Sequence, residues 1–78
     1  MTTLDLMMKS RESPADVAAR ILSNSSYLAI RYVNCTFQKG VLTLGGRLPS
    51  FHLKQLAQTA VQDIEGVLQV ENRIEVTD

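Results

Sequence analysis

The sequence predicts an α+β domain in the order α-β-β-α-β, with both helices laid on one face of a three-stranded sheet. Three observations carry that expectation. A helix-start box, Ser13-Pro14-Ala15-Asp16, precedes apolar residues at helical spacing. A run of period two then flanks Gly40 on both sides. A longer apolar helical pattern follows, from Leu53 to Ile64, before a closing aliphatic run.

In the first helix Ser13 serves as cap, and Pro14 takes the first helical position, where a missing N–H costs nothing. Val17, Ala18, Ile21 and Leu22 fall on one face, which predicts a helix over 14–23. Ser23-Asn24-Ser25-Ser26 ends it, because these side chains compete for backbone hydrogen bonds. From Tyr27 the period changes to two. Ile30, Tyr32, Asn34 and Thr36 alternate with Arg31, Val33, Cys35 and Phe37, as along a strand. Gln38-Lys39-Gly40 reads as a hairpin loop in which Gly40 supplies the positive φ. Val41 to Gly45 returns, with Leu42 and Leu44 turned toward Val33, Cys35 and Phe37. Cys35 is thereby expected to be a small buried hydrophobe.

Pro49-Ser50 restarts a helix, with Ser50 as cap. Leu53, Leu56, Ala57, Ala60, Val61 and Ile64 sit at i, i+3, i+4, i+7, i+8 and i+11 and are expected to face the sheet. Glu65-Gly66 closes this helix, with Gly66 at the left-handed stop position. Val67 to Val76 is predicted as one strand, with Val70, Ile74 and Val76 on a common face. Residues 1–12 read as a lead-in whose Leu4, Leu6, Met7 and Met8 have no clear period, which leaves 13–78 as a single domain.

A 78-residue chain makes one domain at most. At 45% hydrophobic and 21% charged residues it has an ordinary globular composition, which excludes a disordered tail. Lys plus Arg equals Asp plus Glu, eight of each, so there is no general pull toward nucleic acid. Attraction to an anion must be local. The single cysteine makes no internal disulfide and lacks zinc-binding partners. The N-terminus has no basic start, no long apolar run and no small-residue cleavage site, so the chain reads as cytoplasmic. An enzyme needs positioned acids, bases or nucleophiles. The one histidine, His52, opens the second helix, and Asp63 and Glu65 lie roughly three turns away. No catalytic residue, metal or cofactor is expected.

The stretch from Gly40 to Ser50 (GVLTLGGRLPS), followed by Ala57 to Val76, resembles the BON domain. That family reads approximately as G-x-V-x-L-x-G-x-V, a helix, then G-V-x-x-V-x-N-x-L-x-V. Gly40, Leu42, Leu44, Gly46, Gly66, Val67, Val70, Asn72, Ile74 and Val76 fit those positions. The resemblance implies an αββαβ fold with a mixed three-stranded sheet. It also implies a non-enzymatic bacterial binding module, proposed in stress-related proteins to associate with phospholipid membranes and often periplasmic. Glycines and aliphatics specify a fold rather than a reaction, so no functional residue carries over.

Two surfaces are candidates for binding. His52 and Lys54 open the second helix while Asp63 and Glu65 close it, and both placements oppose the helix dipole by about 0.3–1 kcal/mol each. Arg47 lies just before, and the helical wheel turns Phe51 away from the apolar face. This end is a candidate site for anionic phospholipid. The alternative is the uncovered sheet face, with Ile30, Tyr32, Thr36, Val41 and Thr43 beside Gln69, Glu71, Arg73 and Glu75. Such a face suits another protein or a homo-oligomer.

Overall fold

The first helix begins where its cap dictates. In the computed structural model, which describes residues 12–77, Ser13 Oγ accepts from the Asp16 amide at 3.3 Å and α1 spans Pro14–Ser23. Ala18 and Leu22 turn into the core. The lead-in expected over 1–12 lies outside the described residues, except for Glu12, which pairs with Arg20. The serines end α1 as anticipated. Ser23 Oγ donates to the Arg20 carbonyl at 2.9 Å, and Ser25 Oγ accepts from the Tyr27 amide at 3.0 Å.

The period-two reading of the next segment is overturned. Leu28–Tyr32 forms a 3-10 helix, η1. The Ile30 and Val33 amides bond to the Tyr27 and Ile30 carbonyls at 3.0 and 3.1 Å. A strand would put Ile30 and Tyr32 on one face. The tighter turn sends them apart: Ile30 is 2% exposed within the core, whereas Tyr32 is 82% exposed. Neither belongs to the open face of the sheet.

The hairpin follows the sequence. β1 (Asn34–Gln38) and β2 (Val41–Gly45) pair antiparallel, with Cys35 opposite Leu44 and Phe37 opposite Leu42. Leu42 and Leu44 are fully buried. Cys35 and Phe37 are half-buried, as suits the edge strand of the sheet. The loop needs left-handed backbone at Lys39 (φ 51°) and Gly40 (φ 82°). β3 (Arg47–Leu48) leads into α2 (Phe51–Val61), where Ser50 Oγ accepts from the Leu53 amide at 3.2 Å. β4 (Gln69–Asn72) then joins β2 in parallel, which gives a mixed sheet of order β1-β2-β4. The predicted α+β fold, two helices with a mixed three-stranded sheet, is the one observed.

Three details depart from expectation. Ala57 and Val61, four residues apart, are fully buried, but Ala60 is exposed on the flank of α2. The helix also stops at Val61, one turn short of Ile64, so Asp63 and Glu65 lie beyond its end rather than within it. A longer helix would carry those two acids against its own dipole. Gly66 does adopt φ 95°, but it serves the separate turn that follows. Finally, the expected last strand breaks at Arg73-Ile74. β5 (Glu75–Val76) pairs instead with β3 in a small parallel sheet, Arg47 opposite Glu75 and Leu48 opposite Val76. Ile74 is buried at the break, while Val76 is 38% exposed.

Candidate functional site

The short β3–β5 sheet sets the approach to α2. Arg47 sits on β3, and its Nε donates to Glu75 Oε1 at 3.2 Å, both side chains being largely exposed. Four residues later Phe51 opens the helix and is 60% exposed. His52 is exposed and Lys54 is half-buried. Among the described residues neither has a carboxylate within salt-bridge distance. Tyr32 comes to this same end, because its carbonyl lies 3.8 Å from where a Cβ on Gly46 would stand. The Tyr32 backbone thus runs past Gly46, the residue before Arg47. The period-two reading puts Tyr32 on the sheet face instead.

The open face of the main sheet is smaller than expected. The register aligns Thr36, Thr43 and Glu71 in one row, and Gln38, Val41 and Gln69 in the next. All of these but Gln69 line, with Lys39, a shallow depression of mixed polarity. Glu71 pairs with Arg73, which lies beyond β4, and Glu75 belongs to the second sheet. The edge strand β1 carries no charged side chain.

A third feature escaped the sequence reading. Between α1, η1 and α2 lies a groove of about 390 Å³, lined by the apolar Ile21, Leu22, Ile30, Leu56 and Ala60. Ser25, Ser26, Tyr27 and Thr59 complete it. Assigning Ile30 to a strand and Ala60 to the sheet-facing stripe removed two of its walls from view. The available signal was the pair Ile21 and Leu56, one on each helix, at the edges of the two apolar stripes.

Cys35 is free and half-buried, and that burial pushes its thiol up from the ordinary value. A raised pKa depletes the thiolate, the nucleophilic and metal-binding form. Among the described residues no three His, Cys, Asp or Glu side chains gather as a metal site would require. None of the described helices is long and apolar enough to cross a membrane.

The glycines and aliphatics of the hairpin and of the last strands hold the places the resemblance required. Gly40 turns the hairpin, Leu42, Leu44 and Ile74 fill the core, and Asn72 ends β4. No curated protein matches the chain. Residues 15–78 match the family model of the BON domain. The chain therefore belongs to the BON domain family, a family of non-catalytic binding domains.

Proposed function

We propose that this binding module contacts anionic phospholipid surfaces through the N-terminal end of α2. The observation that carries the reading is Phe51, 60% exposed in the first turn of α2 with His52 and Lys54, four residues after Arg47. A ring with basic neighbours matches the boundary between headgroups and acyl chains. Tyr32, 82% exposed on η1 with its backbone carbonyl close to Gly46, offers an amphipathic ring of the kind enriched at membrane interfaces. With a formal net charge of zero, the attraction is local, and salt screens it beyond about 10 Å at 0.1 M.

Flotation with neutral and anionic vesicles tests this directly. The native chain should float with anionic vesicles at low salt and lose that binding as salt rises. The double change Lys54→Glu, Phe51→Ala should abolish flotation at an unchanged thermal midpoint. Equal flotation with neutral vesicles, or full binding by the double variant, would remove the reading.

One observation favours association with another chain instead. β1 is an edge strand without charge, and among the described residues its only backbone ladder is with β2. Natural edge strands are commonly blunted by lysine or proline. If β1 pairs with another chain, sedimentation should detect an oligomer, and Thr36→Lys on its exposed face should dissolve it. A monomer at all concentrations would leave lipid contact as the remaining role.

A further inference from the structure

We infer that the groove between α1, η1 and α2 binds a single linear aliphatic carboxylate. Its hydrocarbon chain would lie along the groove and its head on Arg31. This site uses neither Phe51 nor Lys54, so it stands or falls separately from the membrane contact.

The groove has the size and chemistry of a small-ligand site. Its volume of about 390 Å³ lies toward the lower end of the roughly 300–1,000 Å³ typical of such sites, which suits one chain rather than two. No charged side chain lines it, and its walls are chiefly aliphatic. Ile21 and Tyr27 remain 36% and 48% exposed, so apolar surface is left in water that an occupant would cover. A peptide would bring a backbone N–H and C=O with every residue, and aliphatic walls offer these no partner. A hydrocarbon chain makes no such demand.

Polarity is confined mainly to the α1–η1 connection, where Ser25, Ser26 and Tyr27 are consecutive. Arg31 is tied to that connection, since its Nε donates to the Ser25 carbonyl at 2.7 Å. The four arginines among the described residues differ in one respect. Arg20, Arg47 and Arg73 each pair with a glutamate, whereas Arg31 pairs with no carboxylate among the described residues. One nitrogen anchors the guanidinium and two remain to receive an anion. An apolar trough with a cation tethered to Ser25 of its polar wall is the complement of a fatty carboxylate. Arginine also matches the planar, bidentate geometry of that head.

The test is an amide-resolved NMR titration of the full chain with decanoate at concentrations where it stays monomeric. Decanol and decyltrimethylammonium supply the same tail with a neutral and a cationic head. Saturable shifts should centre on Ile21, Ser25, Ile30 and Ala60, with decanoate the tightest of the three. Arg31→Gln should weaken decanoate about tenfold, as expected for a lost charge-assisted contact, and leave decanol unchanged. Ala60→Trp should block all three ligands, and its amide spectrum reports whether the fold survives. Shifts that centre elsewhere, or equal affinity for carboxylate and ammonium heads in the native chain, would overturn the assignment. So would a dimer that Ala60→Trp dissociates and decanoate does not, because the groove would then belong to a second copy.

Discussion

The side-chain amide of Asn72 donates to the backbone carbonyl of Lys54 at 3.0 Å, which ties the end of β4 to the first turns of α2. The same nitrogen donates to Gln58 Oε1 at 3.2 Å, and Asn72 Oδ1 accepts from the Ile74 amide at 3.2 Å. One half-buried side chain thus links the sheet, the helix and the break before β5. Asparagine supplies two donors and an acceptor on a short stem, which serine or aspartate would not. The linkage also holds the basic end of α2 beside β5, the strand that presents Glu75 to Arg47.

Removing that linkage should be costly. Asn72→Ala should destabilise the domain by about 1–3 kcal/mol, the usual range when partly buried partners lose their hydrogen bonds. Gln58→Glu should do much less, because a carboxylate still accepts from the Asn72 amide. Urea midpoints of the two variants measure the difference. An Asn72→Ala effect within about 0.5 kcal/mol, typical of an indifferent surface site, would show that the linkage is not energetically important.

The two alanines of α2 should behave in opposite ways. Ala57 is fully buried in the core, so Ala57→Glu places an unpaired charge there and should prevent folding. Ala60 is exposed, and Ala60→Glu should fold with a nearly native thermal midpoint. The sequence pattern alone leads to the reverse expectation for Ala60. Circular dichroism melts of both variants decide between them.

That reversal shows where the sequence was legible and where it was not. Elements begun by a local chemical device could be read directly: Ser13-Pro14 starts α1, Ser50 caps α2, and Gly40 turns the hairpin. Elements defined only by periodicity were misread where two periods fit the same residues. Ile30 and Tyr32 suit a strand as well as a 3-10 turn, and only packing sends Ile30 inward. Similarly, a stripe of apolar residues does not say which member sits at its edge, and Ala60 does. β3 and β5, two residues each, are too short to show any period. Of the basic end of α2, the residues themselves were visible in the sequence. The Glu75 partner was not, because it depends on the non-local pairing of β3 with β5.

Gly40 should be intolerant of substitution for two separable reasons. Its φ of 82° is strained for any L side chain, and a Cβ there would meet Leu68 Cδ1 at 2.7 Å. Gly40→Val should cost about 1–2 kcal/mol or more. Adding Leu68→Ala should restore the steric part and leave the conformational part, since Leu68 is itself 86% exposed. Gly66, at φ 95°, meets only Pro14 Cγ at an ordinary 3.5 Å. Gly66→Ala should therefore show the conformational cost alone, about 1–2 kcal/mol. A double variant as unstable as Gly40→Val would show that Leu68 is not part of the constraint.

Cys35 should react slowly while the domain is folded. Burial raises its pKa, so less thiolate is present at any given pH than in a free thiol. Iodoacetamide at mildly alkaline pH should modify it more slowly than free cysteine, and the rate should climb only at higher pH. Urea should remove the difference. The sign for stability follows from the same shift: the folded thiol holds its proton more tightly, so stability falls as pH rises past the ordinary thiol range. Alkylation as fast in the folded chain as in urea would contradict the burial of this thiol.

The Arg47–Glu75 pair offers the sharpest check on the lipid reading. Both side chains are exposed and 3.2 Å apart, so the pair contributes no more than about 1 kcal/mol to stability. Its larger consequence is electrostatic: Glu75 neutralises one of the cations beside Phe51. Glu75→Gln should leave the fold intact, strengthen flotation with anionic vesicles and steepen its salt dependence, with no change for neutral vesicles. The variant also raises the formal charge of the chain from 0 to +1, with eight bases against seven acids. A control must therefore separate local from global charge. Glu65→Gln makes the same change beyond the opposite end of α2, at another exposed position. If contact occurs at the Phe51 end, Glu75→Gln should strengthen binding clearly more than Glu65→Gln. Equal gains would mean that vesicles respond to net charge alone, and the basic end of α2 would lose its claim to be the site.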